Sequence, residues 1–134
     1  MLLGGLLAPS SLQAKKVQAP KMYMFGFAAA FTDTIVHFTG VQELDTVWVE
    51  TRNHFLLARD TYSHQLRAHL AGQQMPGRTC VVFYNTNRAK LEKQFLKMKR
   101  LYTQGKNGQA HFEVRYIDDA AFRFKSANLV ADDE

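Results

Sequence analysis

Two short polar groups stand where apolar runs end: Asn85, Thr86 and Asn87 follow one, and Asp118 and Asp119 follow the next. Paired aspartates offer the hard oxygen ligands that a divalent cation takes. Asparagine and threonine ahead of a helical pattern mark a helix start, where free N–H groups and a partial positive charge suit an anion, here with Arg88 beside them. If the two runs are parallel strands of an open α/β sheet, both groups fall at the strand edge where such sheets bind ligands. Each group also has a plainer role, the trio as a helix cap and the aspartates as the opening of a turn. No glycine-rich phosphate loop accompanies them.

A second set is cationic. Lys90, Lys93, Lys97 and Arg100 recur so that they share one side of a helix, where they could meet phosphates of nucleic acid, lipid or lipopolysaccharide. A solvated helix face produces the same row, and only exposed aromatics beside it would point to nucleic acid. Trp48, Tyr62 and Tyr84 are not placed by the sequence alone. The histidines, His37, His54, His64, His69 and His111, match no metal-ligand spacing. Ser63 beside His64 is adjacency rather than a triad, and no nucleophile elbow occurs. Glu50 and Asp60 would be an acid and base pair only if the fold brought them together. The lone Cys80 excludes an intramolecular disulfide and a zinc site of several thiolates, and its apolar neighbours predict a buried, inert thiol. No catalytic residue, metal or cofactor is assigned.

The elements that must position these residues are clearest from Arg78 to Ile117. Thr79 to Tyr84 is β-branched and aromatic on both faces, as in a strand covered on both sides. Leu91, Phe95, Met98 and Tyr102, spaced four, three and four apart, place one apolar stripe on a helix, with the cations on its other side. Gly105 and Gly108 end it, and Phe112, Val114 and Tyr116 alternate with Glu113 and Arg115 as in a strand. Strand, helix and strand in succession predict a crossover between parallel strands.

Upstream, Lys21 to Phe31 is apolar on both alternating faces, an interior strand. After a turn at Thr32 and Asp33, Thr34 to Leu44 reads as its antiparallel partner, with Gly40 as a bulge. Thr46 to Glu50 is a further strand or the approach to a helix. His54 to Gly72 is helical in its second half, where Tyr62, Leu66 and Leu70 repeat, with Asp60 or Thr61 as cap. Phe122 and Phe124 alternate in a last candidate edge strand over Ala120 to Lys125. The fold class is α/β, with a mixed four- to five-stranded sheet and two main helices in the order β-β-α-β-α-β, filling a single domain over 21–127. Residues 15–20 read as a linker and 128–134 as an acidic tail.

At 134 residues, 46% hydrophobic and 22% charged, the composition is that of one globular domain. The net charge of +5 is concentrated: between Arg52 and Lys106 stand eleven lysines and arginines against Asp60 and Glu92. Such a middle favours anionic partners. Residues 1–14, MLLGGLLAPSSLQA, are uncharged, carry a short apolar run and end in small residues. They resemble the apolar region and cleavage site of a secretory signal peptide whose basic start is missing, which implies a truncated start or a mere apolar arm. No run is long enough to span a bilayer, so a soluble periplasmic or secreted protein is expected, and a cytoplasmic one if 1–14 is not a signal.

Phe31 to Leu70 and Arg78 to Tyr102 together resemble a group of uncharacterised small exported proteins of Bacteroidota, which implies export and carries no catalytic residue. The strand, helix and strand from Val81 to Ile117 is similar to half of a SPOR peptidoglycan-binding domain, although two strands before the first helix depart from that pattern. The expected function is a non-catalytic, exported accessory or binding protein of the cell envelope. It would act through its basic surface on an anionic envelope component or acidic protein, or on nucleic acid if cytoplasmic. The alternatives are a SPOR-like module and a small metal-dependent envelope hydrolase using the Asp118 and Asp119 edge.

Overall fold

A computed structural model describes residues 16–19, 21–53, 55–105, 108 and 111–127. The expected signal segment, acidic tail and His54 lie outside the described residues. The elements are β1 (Lys16–Ala19), β2 (Met22–Ala29), β3 (Ile35–Thr39), β4 (Gln42–Leu44), β5 (Val47–Glu50), α1 (Arg59–Gly72), β6 (Thr79–Asn85), α2 (Arg88–Gln104) and β7 (Glu113–Ile117). The expected mixed α/β architecture with two helices is present.

β2 is the axis of the main sheet. β6 pairs antiparallel along its whole length on one side. On the other side β3 pairs with its C-terminal half and β4 with its N-terminal half, both antiparallel. β3 and β4 are one strand broken by a bulge, since the register moves by one residue between Phe27↔Phe38 and Met24↔Gln42. At the break Gly26 N donates to Thr39 Oγ1 at 2.8 Å, and the same hydroxyl donates to Gly40 O at 2.8 Å. A side chain thus takes the place of the interrupted ladder. β7 pairs parallel with β3 and closes the far edge.

β6 and β7 run in the same direction, as the strand, helix and strand pattern predicts, but they are not neighbours. β2 and the β3–β4 strand lie between them. The reason is the first strand pair: β2, apolar on both faces, takes the middle of the sheet, and β6 and β7 are left its two flanks.

Alternation along β2 divides the core into two layers. Phe25 and Phe27 face α2 with Val36, Phe38 and Leu91, joined by Phe83, Phe95, Met98 and Tyr102. Aromatic rings fill this layer, with Phe25 stacked on Phe83 at 5.0 Å and edge-on to Phe95 at 5.2 Å. Met22, Met24 and Ala28 face α1, with Tyr62, Leu66, Leu70 and Phe124. The helices therefore cover opposite faces, which is why β2 carries no polar side.

Three boundaries differ from the sequence reading. Lys16–Ala19, expected within a linker, is β1, paired antiparallel with β5 in a separate two-stranded sheet. β5 places Val47 and Val49 in the α1-side core, and its backbone groups need a partner strand. α1 is capped by Ala58 in the left-handed region rather than by Asp60 or Thr61, and Thr61 N bonds Ala58 O at 2.9 Å. The candidate edge strand over Ala120 to Lys125 does not form: the chain turns at 119–121 and is in no strand over 122–127. The backbone there bonds the side chains of Gln42, Gln65 and Tyr62 instead.

Candidate functional site

The strand-edge residues are placed by local hydrogen bonding. Asn85 Oδ1 accepts from Asn87 N at 2.7 Å, and Asn87 Oδ1 accepts from Lys90 N at 3.1 Å, which makes Asn87 the cap of α2. A cap of this kind is worth about 1 kcal/mol. Thr86 is exposed in the same turn. At the end of β7, Asp118 O accepts from Ala121 N and Phe122 N. Asp119 Oδ1 accepts from Gln42 Nε2 at 3.2 Å, and its Oδ2 lies 3.5 Å from Arg123. The two groups share an end of the sheet, but two strands intervene, which sets β6 and β7 about 14 Å apart across it. Among the described residues no three His, Cys, Asp or Glu side chains are grouped to hold a metal.

The basic row is assembled as its spacing requires. Leu91 is buried and Phe95, Met98 and Tyr102 pack on the aromatic layer, while Lys90, Lys93, Lys97 and Arg100 are exposed on the opposite side of α2. The helix holds one acid, Glu92, and Arg88 already pairs with it at 2.9 Å. Arg88 also lies over the Tyr23 ring at 5.6 Å. Among the described residues the four row cations form no ion pair.

Aromatic company for this row is slight. Tyr62 is buried in the α1-side core, Trp48 lies in the second sheet under Lys16, and the Tyr84 hydroxyl meets Leu56 N at 3.4 Å. Two rings meet a cation of α2, Tyr23 under Arg88 and Tyr116 of β7, 52% exposed, under Lys99 at 5.3 Å, and neither cation belongs to the row. Stacking platforms for successive bases need rings side by side, and Arg88 and Lys99 stand eleven residues, about 16 Å, apart along the helix.

The remaining candidates are likewise accounted for. Burial pushes the Cys80 thiol above its usual value, in keeping with an inert thiol. His64 Nδ1 lies 3.3 Å from Arg67, and His69 packs against Phe122. Glu50 sits in β5 in register with Lys16, whereas Asp60 is in the first turn of α1.

One polar cluster has no signature in the sequence. Arg78, only 5% exposed, bonds both carboxylate oxygens of Asp33, at 2.8 and 2.6 Å, and also Ile35 O at 3.2 Å. The paired bonds from Arg78, then that from Ile35 N, hold the Asp33 carboxyl below its ordinary range. Buried His37 nearby is pushed down by desolvation and then by the charges of Arg78 and Arg115, so it is neutral. The cluster ties the β2–β3 turn to the start of β6. Its partners stand 45 residues apart, beyond any local motif.

No helix among the described residues is long and apolar enough to cross a membrane. No family model matches the chain, and no curated protein or solved structure matches it either.

Proposed function

We propose that this chain is a non-catalytic, exported binding protein of the cell envelope, which engages an anionic envelope component or acidic protein through the outer face of α2. The observation that carries this reading is the row Lys90, Lys93, Lys97 and Arg100, exposed together with no ion pair among the described residues on a helix whose one acid is already engaged. Cations left without internal partners attract anions over a distance set by the ionic strength. The candidate strand edge supports a catalytic reading less well, because Asn87 caps α2 and Asp119 is engaged by Gln42 and Arg123.

Co-sedimentation with purified sacculi and with vesicles containing anionic lipid, at low and raised salt, tests this reading. The parent chain is expected to pellet at low salt with at least one of the two, and to be released as salt rises. Lys93→Glu with Lys97→Glu should abolish pelleting while leaving stability within about 0.5 kcal/mol, since both side chains are exposed. A chain that stays in the supernatant with both at low salt, or a double variant that pellets as the parent does, overturns it.

A further inference from the structure

The two edges of the main sheet are built differently. β7 carries Glu113 and Arg115, paired at 2.7 Å. Charges of this kind on an edge strand discourage another chain from adding to it. β6 forms the other edge with seven residues, TCVVFYN, that contain no charge, proline or glycine. Among the described residues it pairs with β2 alone, so its second row of backbone N–H and C=O groups faces outward. Val81, 42% exposed, stands near its middle.

Both sides of this edge are shaped. On the α2 side an apolar groove of about 370 Å³ is bounded by Thr79 and Val81, Phe27 and Ala29, and the exposed rings of Phe31 and Phe112. On the α1 side a notch is lined by Arg59, Asp60 and Ser63 against Cys80, Val81 and Val82. Arg59 rests over the Phe55 ring at 5.7 Å. Neither Arg59 nor Asp60 forms an ion pair among the described residues. One charge of each sign therefore flanks the middle of an uncharged strand.

We propose that β6 is a self-association edge, where a second copy of this chain adds its own β6 antiparallel about a two-fold axis near Val81 and Val82. The main sheet then runs on from one copy into the other. A two-fold axis makes every contact reciprocal. Arg59 of each copy is turned toward Asp60 of the other, so the notch is complementary to itself. The strand is neutral on a chain of net charge +5, so two copies meet along it without opposing like charges. Backbone pairing supplies the affinity and the flanking residues the selectivity, as in strand addition generally. The basic face of α2 lies outside this contact, so the dimer and the anion binding proposed above stand or fall separately.

Sedimentation equilibrium of the full chain over micromolar to high micromolar concentration tests this. A reversible monomer–dimer equilibrium is expected, and Val81→Lys, which sets two lysines together across the axis, should weaken it by at least about tenfold. Arg59→Glu and Asp60→Lys should each weaken the dimer, and the two combined should restore it, a result that only contact between copies produces. A chain that stays monomeric throughout, or a dimer indifferent to all these changes, overturns the proposal. So does a monomer whose β6 edge takes up an extended segment of another protein. Should Val81→Lys fail to fold, amide exchange of the unaltered chain decides. Protection of β6 that rises with concentration supports the edge contact, and unchanged protection overturns it.

Discussion

The side-chain amide of Gln42 replaces a neighbouring strand for Phe124. Its Oε1 accepts from Phe124 N at 2.8 Å, and its Nε2 donates to Phe122 O at 3.0 Å. Gln42 is 2% exposed, so these bonds form away from water. They hold Phe124 over Tyr62 and Leu66 in the α1-side core. Gln65 repeats the device at the surface, bonding Lys125 N and O at 2.9 Å each.

Removing the buried amide leaves groups of the 122–124 backbone without partners. An unsatisfied buried donor or acceptor costs about 1–3 kcal/mol, so Gln42→Leu is expected to destabilise by roughly 2–4 kcal/mol. Gln65→Leu should cost under about 1 kcal/mol, because water takes over its bonds. Urea unfolding of the two variants reads the difference, and equal losses would mean that the amides do not clamp the segment in this way.

Gly26 sits where β2 passes beneath Leu66 and Phe124. A Cβ there would stand 2.7 Å from Leu66 Cδ2 and 3.0 Å from Phe124 Cζ. Both side chains are buried, so neither can swing into solvent. Gly26→Ala is expected to destabilise by about 1–3 kcal/mol through overpacking. Leu66→Val in the same chain should return part of that loss, and a strictly additive double variant in urea unfolding would exclude the clash.

What the sequence reveals of this fold is what neighbours along the chain determine. A cap within Asn85, Thr86 and Asn87, the stripe from Leu91 to Tyr102 and a stop at Gly105 and Gly108 are all local signals, and in the structure Asn87 is the cap, the stripe packs on the core and Gly105 ends the helix. The Gly40 bulge was legible for the same reason, and the doubly apolar β2 implied cover on both faces. Strand order was not legible, because nothing within β6 or β7 says that two other strands separate them. Gln42 and Phe124 lie 82 residues apart, and a glutamine in a strand gives no hint that its amide is used. The candidate site divides similarly: the basic row follows from helical period, whereas the spacing between Asn87 and Asp119 depends on strand order. The Arg78–Asp33 pair joins a strand start to a turn, two places where charged residues are ordinary.

Acid should lower the stability of this protein in two separable stages. Buried His37 has its pKa below 6.5 in the folded chain, first through desolvation and then through Arg78 and Arg115, against smaller opposing effects of Asp33 and Glu113. The unfolded chain takes up the proton near 6.5 and the folded chain only at lower pH, so stability falls with pH across that interval. Asp33 supplies the second stage. Its folded pKa lies below 3.8, so the stabilisation from Arg78 is complete above 3.8 and is lost as pH falls through the lowered value. Urea midpoints measured from neutral to strongly acidic pH are expected to show both declines. His37→Leu should remove the first and keep the second. Asp33→Asn should remove the second, and should also lower the midpoint at neutral pH, because the nearly buried Arg78 then loses its carboxylate. A first decline that survives in His37→Leu would assign the upper stage to a different group.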